Sequence, residues 1–189
     1  METQAVKRPN WMTVLAILGI AFGLLGMLGS LQNIIAPKML EFQQKMLRTF
    51  SELGEKNGER PPQELLDTFE TMFDIPEWFG TWLIISGIIG ALIMGYYVYA
   101  SITLLNSKPN SLCAYMRAMW LSIAVTVLEV AVGLAAGTLI GLGFVIGGLI
   151  SIIVDVVLLV VALSNRDEFR QYMAQLYPQE ANPYISSQG

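Results

Sequence analysis

Residues 128–156 read LEVAVGLAAGTLIGLGFVIGGLISIIVDV, a glycine-laced apolar run with one carboxylate near each end, Glu129 and Asp155. It lies inside a longer apolar stretch, 112–164. At about 1.5 Å per helical residue that stretch would reach roughly 75 Å, more than twice the ~30 Å of a hydrocarbon core. It must fold back on itself. The break available is the cluster Gly133, Gly137, Gly141 and Gly143, with Thr138 the one polar group among them, so a tight turn is predicted at 137–141, centred on Gly137 and Thr138.

Two further apolar runs, 11–35 and 78–105, are each long enough for one crossing, which takes about 20 helical residues. The chain as a whole is 54% hydrophobic and 14% charged over 189 residues, with a mean hydropathy of +0.54, well outside the soluble range. The expected fold is therefore all-α, an integral membrane bundle of four transmembrane helices at 11–35, 78–105, 112–136 and 142–164, with an inner loop at 106–111. The basic residues Lys7 and Arg8 before the first run invite a signal-peptide reading. A secretory core is about 7–15 residues and ends at a small-residue site, whereas this run continues through LQNIIAP, so a retained anchor is expected.

Orientation follows from the short segments. Lys7, Arg8, Lys108, Arg117, Arg166 and Arg170 share one side of this layout, which by the positive-inside rule places both termini in the cytoplasm and the protein in the cell (inner) membrane. Residues 1–10 form the cytoplasmic N-terminal tail. Trp11 marks the inner edge, and Trp78 and Trp82 mark the outer entry of the second helix. On the outer side, 36–77 is predicted to form an extramembrane amphipathic hairpin. Its first helix carries Met39, Phe42, Met46, Phe50 and Leu53 and stops at Gly54; its second carries Leu65, Phe69, Met72 and Phe73. Such Met- and Phe-rich faces suit packing on the bundle, a lipid interface or a partner peptide. After the fourth helix, 165–177 reads as a surface helix with a capping pattern at Asn165 and Glu168, and 178–189 as a disordered tail.

Small residues recur at helical spacing: Gly19, Gly23 and Gly26 in the first helix, Gly87, Ala91 and Gly95 in the second, and Gly133, Gly137, Gly141 and Gly147 in the last two. In lipid, where burying apolar surface gains little, such seams let helix backbones approach closely. They are expected to serve packing inside the bundle, with any seam left over serving association between subunits.

An ionised carboxylate near the bilayer centre costs about 2.5–3.5 kcal/mol on insertion scales, so Glu129 and Asp155 should be neutral, paired or functional. Counting down from the turn leaves Arg117 and Asp155 about 5 Å apart along the helix axis, within reach of an arginine, which makes Arg117 the expected partner. Tyr96, Tyr97 and Tyr99 reach a similar depth and can donate to the same carboxylate. Glu129 has no basic residue at its level. It reads as a neutral carboxyl bonded to a neighbouring helix, as an intersubunit contact, or as a proton or cation site, with Ser86, Ser101 and Thr126 as polar company. The two acids stand about 13 Å apart along the axis, too far to share a proton.

One cysteine, Cys113, and no histidine exclude a disulfide framework, a thiolate metal cluster and imidazole ligation of haem or zinc, so no cofactor is expected. The net charge of −4 argues against nucleic acid as a partner. The ending ALSNRDEFRQYM resembles that of small uncharacterised four-helix bacterial membrane proteins; the resemblance covers the general layout, carries no specific motif and implies no activity. Claudins share the long first outer segment, but their loop carries a cysteine pair that 36–77 lacks. With no nucleophile–base pair, metal cluster or phosphate loop, the expected function is non-enzymatic. The protein would assemble in the lipid bilayer with itself as a homo-oligomer or with other membrane subunits, the alternative being a small proton- or cation-coupled transporter or channel subunit using Glu129.

Overall fold

The structure, a computed structural model, describes residues 7–57 and 76–177. These residues form five α-helices: α1 (Asn10–Asn57), α2 (Glu77–Leu105), α3 (Ser111–Ala136), α4 (Leu139–Ser164) and α5 (Arg166–Leu176). The first four are long and apolar enough to cross a membrane. α1 packs along α2, α2 against α3 and α3 against α4, whereas α4 is not packed on α1 to a comparable extent. The four-helix body thus has a seam that is open on one side.

The reversal between α3 and α4 falls at Gly137 and Thr138. Gly137 takes φ +62°, the left-handed conformation that glycine adopts without steric cost, and its N–H closes on the Leu134 carbonyl. Thr138 then caps α4, its hydroxyl oxygen accepting from the Gly141 N–H at 3.0 Å. Beside this turn Gly133 and Gly141 face each other. A Cβ on Gly133 would lie 2.7 Å from the Gly141 carbonyl oxygen, and one on Gly141 would run into the Gly133 carbonyl oxygen.

The expected outer hairpin is not formed as drawn. α1 does not end near residue 35 but runs unbroken through Pro37 and Gly54 to Asn57. Proline inside a helix costs about 3 kcal/mol by removing a hydrogen bond and crowding the preceding turn. Here it is followed by strong helix formers, Lys38, Met39, Leu40, Glu41, Gln43, Gln44 and Lys45, and no residue nearby offers the chain a turn. The predicted first arm is therefore the far end of α1. The predicted second arm, 63–73, and the tail 178–189 lie outside the described residues.

The core is concentrated at the end of the bundle where the α2–α3 loop lies. Met12, Leu15 and Ala16 of α1, Tyr97 and Leu104 of α2, Tyr115 and Met119 of α3, Leu158 and Ala162 of α4, and Phe169 and Met173 of α5 form one buried cluster. Polar ties close the same end. The Arg8 guanidinium donates to the Leu104 carbonyl at 3.1 Å, Trp11 Nε1 donates to the Glu168 carboxylate at 3.0 Å, and the Tyr172 hydroxyl donates to Ser107 Oγ at 3.2 Å. Glu168 is thereby committed to Trp11 rather than to a capping box, and the Asn165 amide donates back to the Val161 carbonyl. At the opposite end the buried apolar residues are Phe79 and Leu83, with Phe79 meeting Phe144 of α4 edge to face at 6.2 Å.

Candidate functional site: a polar cleft at Asp155

α4 presents Gly147, Ile150, Ser151, Val154 and Asp155 on one face, the spacing of successive helical turns. This face lines a cleft of about 240 Å³ together with Phe22, Leu25 and Gly26 of α1, Met94 and Tyr97 of α2, and Ser122 of α3. Asp155 lies at its floor and is 5% exposed. Ser122 Oγ donates to one carboxylate oxygen at 2.6 Å, and the Tyr97 hydroxyl donates to the other at 3.4 Å. The acid thus joins α2, α3 and α4.

A second tyrosine extends the network to α1. Tyr115 packs against Tyr97 with ring centroids 5.7 Å apart, and its hydroxyl donates to the Leu15 carbonyl at 3.0 Å. The approach depends on Gly19, since a Cβ there would sit 2.8 Å from Tyr115 Cε2 and would also meet Ser101 Oγ. Tyr97, Tyr115 and Ser122 are fully buried. The buried hydroxyls of Tyr97, Tyr115 and Ser122 thus each meet a partner on another helix, as burial requires.

Arg117 is not the partner of Asp155. Among the described residues no ion pair joins them, and the ion pair that does form links Arg170 to Asp167 on the surface of α5. The axial count was nearly right but the azimuth was not. Arg117 precedes Ser122 by five residues, which at 3.6 residues per turn sets it about 140° round the helix from the buried face, and it is exposed. Ser122 stands nearly as far from the Gly137–Thr138 turn as Asp155 does, so the same count, joined to the helical phase of buried Tyr115 and Ala118, would have found it. Ser151 was missed too. Its hydroxyl lines the cleft, half-buried, and makes no hydrogen bond among the described residues.

Glu129 is half-buried on α3 and makes no hydrogen bond or ion pair among the described residues. Its expected company does not gather round it: Ser86 donates to the Leu83 carbonyl, Ser101 to the Tyr97 carbonyl and Thr126 to the Ser122 carbonyl, each bonding back within its own helix.

The glycines divide. Gly23 abuts Val98, Gly26 abuts Met94, and Gly87 lies under the Ser30 carbonyl and Ile34, which fixes α1 antiparallel to α2. Ala91 is half-buried on α2. Gly95 and Gly147 are not packing points, since a Cβ on either would meet nothing within 4 Å, and Gly137 serves the turn rather than a seam. For Gly147 the reason is its position on the cleft wall. Gly90 against Ser30, and Gly148 against Thr126 and Val130, are close approaches that the spacing rule passed over. Compared with known protein families, curated proteins and solved structures, the chain matches none.

Proposed function

We propose that this is a non-enzymatic, multi-pass protein of the cell (inner) membrane, with both termini cytoplasmic, that works by associating with itself or with other membrane subunits. Its four long apolar helices support the membrane placement, as do the large apolar side chains, among them Leu92, Leu134 and Ile153, exposed on the outer faces of α2, α3 and α4. The basic residues near the α2–α3 loop and both termini support the orientation.

The observation that carries the association reading is the far end of α1. The glycine contacts between α1 and α2 put Glu77, the first residue of α2, level with residues 42–43 of α1, so α1 continues past the helix it packs on. Leading onto this extension and along it, Met39, Phe42, Met46 and Phe50 stay exposed, Phe42 and Phe50 each at 63%. Large apolar side chains at a helical spacing of three and four form one stripe, the pattern by which a helix offers itself to another helix or a groove. The transport reading, by contrast, draws no support from the surroundings of Glu129.

The test is a Phe42→Glu, Phe50→Glu double variant, extracted from the native membrane in mild detergent and run on a native gel beside the wild type. Association predicts a wild-type complex larger than the 20.9 kDa chain that the variant loses at equal expression. A wild type that runs as a lone chain with nothing co-purifying would sink the reading.

A further inference from the structure

The geometry points to the Asp155 cleft as a binding site for a small amphiphilic ammonium, an amine head on an alkyl or aryl body, entering from the side between α1 and α4. Three observations converge on that chemistry. The floor holds a carboxyl group 5% exposed, whose only partners among the described residues are two neutral hydroxyls, so in its ionised form it has no counter-ion among them. Above it the Ser151 hydroxyl makes no hydrogen bond among the described residues, giving an ammonium a second acceptor. The walls are Phe22, Leu25, Met94, Ile150 and Val154, which suit an apolar body and offer nothing to a second charge.

Among the described helices, α4 is not packed on α1 as neighbouring helices are on each other, and Phe22, Leu25 and Ile150 beside that seam are themselves outward-exposed. A ligand dissolved in the bilayer therefore has a lateral way in. The volume of about 240 Å³ lies below the roughly 300–1,000 Å³ of drug-sized pockets. This selects a compact head and short body, with any longer tail left in lipid. Among the polar contacts the Tyr97 bond is the long one at 3.4 Å, so the Asp155 oxygen it reaches is the one with acceptor capacity to spare. An ammonium donating there would supply the missing positive charge, and charge-assisted bonds of this kind are about twice as strong as neutral ones.

The proposal shares the bilayer placement with the association reading but does not depend on the α1 extension, so either can fail alone. The experiment titrates octylammonium into the full-length protein in phosphatidylcholine nanodiscs by calorimetry, with empty nanodiscs subtracted for partitioning and octanol as the neutral isostere. The expected result is a saturable one-to-one isotherm for octylammonium and none for octanol. Asp155→Asn should weaken binding by about thirtyfold or more, the loss that follows removal of one partner from a buried charge pair. Because Asp155→Asn also disturbs its two hydroxyl partners, Gly147→Leu is the second variant: it leaves the carboxylate in place, fills the cleft where a Cβ meets nothing, and should abolish binding. No saturable binding to the wild type, equal binding of octanol, or full binding by a folded Gly147→Leu protein overturns the proposal. Repeating the titration in phosphatidylethanolamine nanodiscs assigns the source. A weaker apparent affinity there means that a lipid headgroup occupies the site, and an unchanged one means a free amine; either supports the ammonium chemistry.

Discussion

A graded series of Gly→Ala substitutions separates glycines that hold the bundle together from those that do not. An alanine in a helix interior is favoured over glycine by about 0.5–1 kcal/mol. Set against this, forcing an extra carbon into a packed interior costs about 1–3 kcal/mol. At Gly141 the obstacle is the Gly133 carbonyl oxygen, a backbone atom one turn from the α3–α4 reversal that cannot move without parting the two helices. The cost there belongs at the top of the range, for a net loss of about 2 kcal/mol. Gly87 faces the Ser30 carbonyl oxygen at 2.7 Å and should behave alike. At Gly26 the obstacle is the thioether of Met94, 2.6 Å from a built Cβ; a flexible side chain gives way, and the change should be close to neutral. At Gly95 nothing is met, and alanine should gain about 0.5–1 kcal/mol. The assay is reversible unfolding in mixed micelles by added SDS, followed by far-UV circular dichroism. The predicted order of stability is Gly95→Ala, wild type with Gly26→Ala, then Gly87→Ala and Gly141→Ala, spanning about 3 kcal/mol. A Gly95→Ala protein as damaged as Gly141→Ala would refute the helix registers.

Two further outcomes follow from single contacts. Ser122→Ala removes the 2.6 Å donor to Asp155 and should lower stability by about 1–3 kcal/mol, the cost of leaving a buried acceptor short of a partner; an unchanged midpoint in the same titration would show that the cleft floor is arranged otherwise. Pro37→Ala restores the backbone donor that α1 lacks within its length and should slow hydrogen exchange over the adjoining turns, by up to the equivalent of about 3 kcal/mol; faster exchange would mean that α1 needs its proline.

The sequence made the all-α body and the four long apolar helices legible because hydropathy integrates over about 20 residues and tolerates local error. The reversal was readable for the opposite reason: the 112–164 run was too long, and only Gly137 and Thr138 could turn it. The hairpin misled because Pro37 and Gly54 are breakers on average, and each was outvoted by helix-forming neighbours. Depth along a helix could be counted, and it brought Tyr97 to Asp155. Azimuth was not used, so Arg117 stood where Ser122 belongs. Nor does the spacing of small residues tell which neighbour each one meets, so Gly147 read as a packing point although it opens on the cleft.

The uneven distribution of the core gives the bundle the mechanics of tongs. α1–α2 and α3–α4 are two arms rooted together at one end by Tyr97, Tyr115, Leu158 and Phe169, while their tips touch through Phe79 and Phe144. Over arms of roughly 30 Å, about 20 helical residues, a rotation of only ~5° at the root moves a tip by about 2–3 Å. The width of the lateral mouth thus depends on root side chains such as Tyr115, Leu158 and Phe169 that do not line it, and a substitution deep in the root reaches the rim as a change of aperture.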